Sequence, residues 1–424
     1  MIYKPKTIEP LQAISEIIDK HVSIILQHQD PDGSFPATGQ DRYVYSPYVW
    51  PRDSSLIALG LVYKLPSASG EDYKILTDAI EKNFVWWFDR INDEKENLNY
   101  LISTDSISVT EFHKKALPAR FTKEGLREQE SELPDANWPN VQLDGYGTLL
   151  AVFGEYIKQT NKMDLAGDYE DEISLLTSYL SKFATFPNYD MWEDTRFWGE
   201  NGCLHASTLA CVYAGLSAVN EMNLDGIPCQ KTNLSSLESF VRKNFINEQG
   251  ELVKYIQKSN DGKTYFIPED PENHVDSSML LLSSPFDGCM YSPDDPLMNN
   301  ISKRVEIYLN EDGGVKRYPG DEFYGGGTWP LLSALQGIHH LREGNVFGAL
   351  KNYEWILQTQ DADSHLTEQV ANLNHEKCDD WRNTWGEPAS PLLMGHGITI
   401  IFLKELEKYL RENNIQLQPF LTIT

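Results

Sequence analysis

Hydrophobic positions along the chain recur mainly with the spacing of α-helices. Residues 14–28 carry an apolar stripe at the alternating three- and four-residue spacing of one helix face, and similar stripes occupy residues 146–157 and 331–341. Segment 203–219 is apolar around its whole circumference, which predicts a helix surrounded by protein. Ser390-Pro391, a capping residue followed by proline, predicts the start of a helix that continues to about Leu410.

Strand-like alternation is limited to the short segments 251–257 and 263–267, which we interpret as hairpins within loops. Long segments rich in Gly, Pro, Trp, Asp and Tyr separate the predicted helices, and connections longer than about 15 residues are unusual in compact domains and often functional. This alternation predicts an all-α fold, a toroid of helical hairpins with long loops at one end. No segment has the character of a linker, so we expect one domain over residues 1–424.

Composition narrows the classes of function. With 41% hydrophobic and 23% charged residues the chain is expected to be globular, and a net charge of −27 disfavours nucleic acids and anionic membranes. The first residues lack a signal-peptide pattern, so a cytoplasmic location is expected. Five cysteines without CxxC spacing indicate neither a disulfide framework nor a zinc site. We expect no metal and no cofactor, and the sequence does not indicate the oligomeric state.

Five loops next to predicted helix ends combine aromatic and acidic residues. Aromatic faces stack on pyranose rings, while carboxylates and guanidinium groups bind the hydroxyls around the ring edge, so the loops predict a sugar pocket. The segments are YSPYVWPRDSSL (45–56), NWPNVQLDGYG (137–147), YDMWEDTRFWG (189–199), VKRYPGDEFYGGGTW (315–329) and DSHLTEQV (363–370).

Glycosidic bond cleavage needs two carboxyl groups, one protonated and one ionised. Glu193 stands between Trp192 and Trp198, and packing against tryptophan is expected to raise its pKa and keep it protonated. The tryptophans would also form a wall for the sugar, and the neighbouring Asp190 and Asp194 would contact hydroxyls. Glu368 is the best candidate for the second carboxylate.

At these five loops the chain resembles glycoside hydrolase family 15, the glucoamylase family, with all five blocks in the family's order. The resemblance implies an (α/α)6 barrel of six outer and six inner helices with the site at the loop-bearing end. It also implies release of glucose from chain ends with inversion, the substrate being an oligosaccharide or α-glucan linked α-1,4 or α-1,6. We expect neither the N-terminal β-sandwich nor the starch-binding domain of some relatives.

The resemblance implies roles for individual residues. YVWPRDSSL is similar to the family block whose Arg and Asp grip the outer hydroxyls of the terminal glucose, which gives Arg52 and Asp53 with Trp50 beside them. YDMWEDT is similar to the block that carries the general acid, Glu193, and LTEQV to the block that carries the general base, Glu368. The remaining expected substrate contacts are Trp138, Trp192, Asp194, Arg317, Asp321 and Trp329, and Gln142 and Asp144 are expected to support them.

Three departures from the family pattern bear on substrate preference. Asp194 replaces a Glu after the acid, Met394-Gly395-His396 replaces a Trp-Ser-His or Trp-Ser-Tyr sequence, and Phe323 replaces a Tyr. Three alternatives to an exo-glucosidase remain: a trehalase, a disaccharide phosphorylase and a non-catalytic glucan-sensing domain. The presence of Glu368 argues against a phosphorylase, which needs a cationic phosphate pocket there, and the two glutamates together argue against a sensing domain.

Overall fold

The computed structural model describes residues 10–40, 43, 46–127, 141–194, 196, 202–224, 227, 231–413 and 415. No helix in these ranges is both long enough and apolar enough to cross a membrane. The helices are α1 (Pro10–Gln27), α2 (Pro51–Lys64), α3 (Gly70–Asp93), α4 (Lys95–Ser103), α5 (Val109–Lys115), α6 (Asp144–Thr160), α7 (Met163–Asp168), α8 (Glu170–Phe183), α9 (Ala206–Met222), α10 (Lys231–Asn244), α11 (Pro296–Tyr308), α12 (Pro330–Arg342), α13 (Val346–Thr359), α14 (Glu376–Trp385) and α15 (Leu393–Glu412).

The helices form two concentric rings. In the inner ring α2, α6, α9, the short 3₁₀ helix Ser277–Leu282, α12 and α15 each contact the next, and α15 contacts α2 to close the ring. The outer helices α1, α3, α8, α10, α11 and α13 each precede one inner element along the chain. The predicted (α/α)6 toroid is therefore confirmed, and its fourth inner position holds only a single short 3₁₀ helix.

Position in the ring explains the hydrophobic patterns. An inner helix touches neighbours on both sides and an outer helix behind it, so every residue of α12 from Pro330 to Leu341 is buried. The segment that is apolar all round forms α9, which is also an inner helix. The amphipathic stripe near the N-terminus forms α1, an outer helix that packs on α15. An outer helix keeps one face in water and needs only one apolar stripe.

The start of the helix predicted at residue 203 is wrong by three residues. Cys203–His205 form strand β3, which pairs antiparallel with β4 (Tyr255–Lys258), so the strand ladder takes the backbone groups and α9 begins only at Ala206. β4 also pairs with β5 (Tyr265–Phe266), as the two predicted hairpin segments indicated. The other strands pair as β1 (Tyr48–Val49) with β2 (Phe121–Thr122), and β6 (Asn310–Glu311) with β7 (Gly314–Val315).

The predicted cap at Ser390 is also wrong. The Ser390–Pro391 peptide bond is cis, Leu392 is the N-cap residue, and α15 begins at Leu393. Leu392 is extended because its N–H donates to the carbonyl of Leu366 at 2.8 Å and it bridges to Thr38. These contacts keep the chain out of the helix for two residues longer than the cap signal predicts.

Glycines allow the inner helices to approach each other closely. A Cβ atom added to Gly147 in α6 would lie 2.5 Å from the backbone of Cys211 in α9, and one added to Gly215 would lie 2.4 Å from the carbonyl oxygen of Gly147. Gly60 in α2 and Gly397 in α15 approach each other equally closely, at the contact between α15 and α2 that closes the ring. Backbone cannot yield as a flexible side chain can, so these positions fix the spacing of the ring.

We expect Gly147→Ala to lower the free energy of unfolding by about 1–3 kcal/mol, because the added methyl group forces α6 and α9 apart. Urea denaturation of the full chain measures this change. Gly167→Ala is the matched control: Gly167 is an exposed helical glycine with nothing within 4 Å of an added Cβ, so alanine there leaves stability unchanged or raises it. Equal stability of Gly147→Ala and wild type would contradict the close packing of α6 on α9.

Candidate active site

A cavity of about 420 Å³ opens at the end of the ring where the inner helices begin. The residues that start α2, α12 and α15 line it, together with the loops that precede inner helices. Every residue that the family resemblance assigned to catalysis or substrate binding lines this cavity, except Trp138, which lies outside the described residues. Asp190, which was also expected to contact sugar hydroxyls, is not among the lining residues. The lining predicted residues are Trp50, Arg52, Asp53, Trp192, Glu193, Asp194, Arg317, Asp321, Trp329 and Glu368.

Side chains from two neighbouring inner helices hold the Glu193 carboxyl group. Trp50, the N-cap residue of α2, donates from Nε1 to Glu193 Oε1 at 2.9 Å. Gln142, two residues before α6, donates from Nε2 to the same oxygen at 2.8 Å. Arg52 Nη2 lies 4.0 Å from it. The carboxyl group, which is half-buried, is therefore oriented by groups that come from distant parts of the sequence.

A tight turn places Glu193 in the cavity. The Asp190 carbonyl accepts from the Glu193 N–H at 3.1 Å, and Asp190 Oδ1 accepts from the Asp194 N–H at 3.0 Å. Glu193 has φ = 61°, a left-handed conformation uncommon for residues other than glycine. We expected Asp190 to contact sugar hydroxyls, but its side chain is buried and organises this turn instead.

Arg52 joins the groups around Glu193 into one network. Its Nη1 donates to Gln142 Oε1 at 2.9 Å and to Asp144 Oδ2 at 2.8 Å, so it fixes the amide that holds Glu193. Asp53 lies 3.8 Å from Arg52 Nε. Burial raises the pKa of Asp53 to about 6, the charge of Arg52 opposes this only in part, and the nearby Glu193 and Asp144 carboxylates add to the rise.

The loop that carries Glu368 is fastened by backbone hydrogen bonds on both sides. The Glu368 N–H donates to the carbonyl of Ala389 at 2.7 Å, and the Val370 N–H donates to the carbonyl of Thr328 at 2.8 Å. The Leu366 N–H donates to Nε2 of His396 at 3.1 Å. His396 is a buried residue of α15, so this imidazole ties the Glu368 loop to the inner ring.

Arg317 is surrounded by aromatic rings and paired with Asp321. Its Nε and Nη2 donate to the two Asp321 oxygens at 2.7 and 2.6 Å, in a bidentate pair. Its guanidinium carbon lies 5.5 Å from the ring centre of Trp192, 5.0 Å from that of Phe323 and 5.2 Å from that of Trp329. The cation and the rings form one rigid wall of the cavity.

The indole group that bonds to Glu193 is that of Trp50, and not that of the adjacent Trp192. Trp192 donates from Nε1 to both oxygens of Asp276 at 3.0 Å, and Asp276 forms a buried ion pair with Lys254 at 3.0 Å. The ring of Trp192 still lines the cavity. Trp198, the other tryptophan expected beside the acid, lies outside the described residues.

Asp194 also lines the cavity. Burial disfavours its charged form, but hydrogen bonds from Arg196 and from the hydroxyl of Tyr318, at 2.6 Å, outweigh burial and lower the pKa of Asp194 to about 2. Asp194 is therefore ionised at neutral pH. Arg196, which is exposed, lines the cavity beside it.

Several lining residues were not predicted from the sequence. Arg120 is buried, with its guanidinium carbon 3.9 Å from the ring centre of Tyr48 and 5.1 Å from that of Trp50. Trp381 and Trp385 reach the cavity from α14. A single arginine outside any motif gives no signal in the sequence, whereas two tryptophans four residues apart in a predicted loop could have been noticed.

Comparisons with known proteins agree with this geometry. Residues 15–379 match the profile of Glycosyl hydrolases family 15. An isomaltose glucohydrolase of Kribbella flavida is 30% identical over 402 residues, which cover 93% of this chain and 94% of that protein.

Solved structures of glycosidases are also similar to this chain. The structure of a glycosidase variant in complex with glucose is 28% identical, covers 93% of this chain and 97% of that chain, and superposes with a TM-score of 0.77. The glucoamylase of Saccharomycopsis fibuligera is 14% identical and covers 96% of this chain and 99% of that chain, with a TM-score of 0.65, which shows likeness of fold. The chain thus belongs to glycosyl hydrolases family 15 and is a glycoside hydrolase of the glucoamylase type.

Proposed function

We propose that the protein hydrolyses short α-glucosides from the non-reducing end with inversion, and that isomaltose is among its substrates. Glu193 is the general acid and Glu368 the general base. The observation that carries the proposal is that both glutamates, 175 positions apart in the sequence (368 minus 193), line one cavity at the loop end of the ring.

Burial within the cavity supports action on chain ends. Trp50, Arg52, Asp53 and Trp329 are buried, whereas Glu193 and Glu368 are half-buried and Arg196 is exposed. A terminal glucose unit enters the buried part, and the glycosidic bond then lies at the level of the glutamates. In this arrangement the chain end enters first, so cleavage occurs after the first sugar.

The proposed reaction is a single displacement. Glu193 transfers its proton to the glycosidic oxygen as the bond from that oxygen to the anomeric carbon breaks. Glu368 removes a proton from a water molecule as its oxygen bonds to the anomeric carbon from the opposite face. The first product is β-glucose, and the leaving sugar departs with the proton from Glu193. Arg52 and Asp53 bind the outer hydroxyls of the glucose and hold it still during the displacement.

The choice of isomaltose rests on the Kribbella flavida relative, which is named for that substrate and is similar along nearly its whole length. The α-1,4 linkage of maltose and the linkage of trehalose are the alternatives within hydrolysis. A phosphorylase needs inorganic phosphate as its nucleophile, so assays with and without phosphate separate that class. A sensing domain would bind these sugars without releasing glucose from any of them.

We expect Glu193→Gln and Glu368→Gln each to lower kcat for isomaltose by roughly 10³-fold or more, because each removes one proton transfer. Glucose release measures kcat, and isothermal titration with isomaltose should show that binding is largely retained. Glu354→Gln, on the exposed surface of α13, is the matched control and should behave as wild type. Near wild-type turnover in either cavity variant would show that the substituted glutamate does not take part in catalysis.

The anomer released first should be β-glucose, since water attacks the face opposite the leaving sugar. Proton NMR of the anomeric signals during the first minutes of hydrolysis, before mutarotation mixes the anomers, detects it. α-Glucose as the first product would exclude inversion and would require a covalent intermediate.

The turn that holds Glu193 should be sensitive to pH through Asp190. Burial raises the pKa of Asp190 to about 7, with Lys254 opposing, whereas an unfolded aspartate has a pKa of about 4. The stability contributed by protonated Asp190 is therefore fully present below about pH 4 and is lost as pH rises towards 7.

Asp190→Asn keeps an acceptor for the Asp194 N–H and removes this titration. The free energy of unfolding of wild type relative to Asp190→Asn should fall between pH 4 and pH 7, by an amount on the order of a few kcal/mol. Urea denaturation of both proteins at several pH values measures the difference. A difference that does not change with pH would contradict a protonated, buried Asp190.

A further inference from the structure

Helix α14 lies along the chain between the Glu368 loop and the inner helix α15. It starts eight residues after Glu368 and ends eight residues before α15 begins at Leu393. It packs on the 3₁₀ turn Phe323–Gly325, which belongs to the wall around Arg317. The N–H of Asn372, in the segment that leads into α14, donates to the Tyr324 carbonyl at 3.0 Å. The helix is thereby fixed at the rim of the cavity.

Trp381 and Trp385 point from α14 to the cavity. They are four residues apart and therefore share one face of the helix, and both line the cavity. Each is half-buried, so part of each indole ring remains in water. The ring of Trp381 meets that of Phe323 edge to face, with the ring centres 4.8 Å apart. This contact explains where Trp381 lies, but it does not explain why a second tryptophan follows on the same face.

The burial and chemistry of the lining residues indicate which sugar this pair would contact. In the proposed function the buried Arg52 and Asp53 hold the terminal glucose. Trp381, Trp385 and Trp192 line the same cavity as the glutamates and, like them, are half-buried, and the exposed Arg196 and Glu322 also line it. The sugar on the far side of the glycosidic bond then lies towards these partly exposed residues, which offer it both aromatic faces and charged groups.

We propose that Trp381 and Trp385 form a binding site for the leaving sugar, a neutral hexopyranose that stacks on their rings. This inference rests on the proposed function and adds to it the part of the protein that recognises the leaving group. Stacking of a pyranose on an aromatic face holds the sugar without fixing one hydroxyl pattern. Arg196 and Glu322 then bind its hydroxyls from the rim.

The test compares two substrates that share the glucose unit but differ in the leaving group. Isomaltose leaves a sugar, whereas α-glucosyl fluoride leaves a fluoride ion that cannot stack. Trp385→Ala is the principal variant, because Trp381 also packs against Phe323 and its removal would disturb the wall. Trp385→Phe keeps an aromatic ring, and Asn383→Ala changes an exposed residue of the same helix that does not line the cavity.

We expect Trp385→Ala to lower kcat/KM about tenfold more for isomaltose than for α-glucosyl fluoride, with most of that selective loss in KM. Trp385→Phe should show a smaller selective loss of kcat/KM than Trp385→Ala, and Asn383→Ala should show none. Circular dichroism and thermal unfolding check that each variant is folded.

Equal losses with both substrates, or no loss with either, would overturn the assignment of Trp385 to the leaving sugar while leaving the proposed hydrolysis intact. Wild-type protein that releases glucose from neither isomaltose nor the fluoride would instead overturn the proposed function, and this inference with it.

Discussion

Two hydrogen bonds to one carboxylate oxygen connect the fold to the chemistry. Trp50 and Gln142 donate to Glu193 from the starts of α2 and α6, so the position of the proposed acid depends on how these inner helices lie side by side. That spacing depends in turn on closure of the ring. Where α6 meets α9 and where α2 meets α15, glycines bring backbone against backbone, and no adjustable side chain lies between them. A shift of one inner helix would therefore move the donors that orient Glu193.

The conformation of Glu193 shows what the loops add to the ring. A left-handed residue other than glycine is typically unfavourable by about 1–3 kcal/mol and persists only when its surroundings fix it. Here the Asp190 side chain and carbonyl close the turn, and the bonds from Trp50 and Gln142 hold the carboxyl group. The conformation moves the side chain out of the line of the loop and into the cavity, where the partly buried Glu368 also lies.

Much of the fold could be predicted from the sequence because an inner helix is apolar all round and an outer helix has one apolar stripe, and both patterns are local. The cavity residues could be predicted because they stand in short sequence blocks that resemble those of the family. What failed depended on distant contacts: Cys203–His205 form a strand because β4 is there to pair with them, and Leu392 stays extended because Leu366 and Thr38 bind it. The indole that donates to Glu193 could not be predicted either, because Trp50 is 143 positions away whereas Trp192 is adjacent.

The central claim is that Glu193 and Glu368 lie on opposite sides of the bond that is broken. A crystal structure of the Glu193→Gln variant with intact isomaltose tests it most directly. The account predicts the terminal glucose at the buried end against Arg52 and Asp53, and the residue 193 amide within hydrogen-bond distance of the glycosidic oxygen. It also predicts one water molecule between Glu368 and the anomeric carbon. The Glu368 carboxyl group and the side-chain amide group of residue 193 should lie about 6.5–9.5 Å apart. A disaccharide bound with its reducing end innermost, or with Glu368 on the same side of the ring as residue 193, would contradict it.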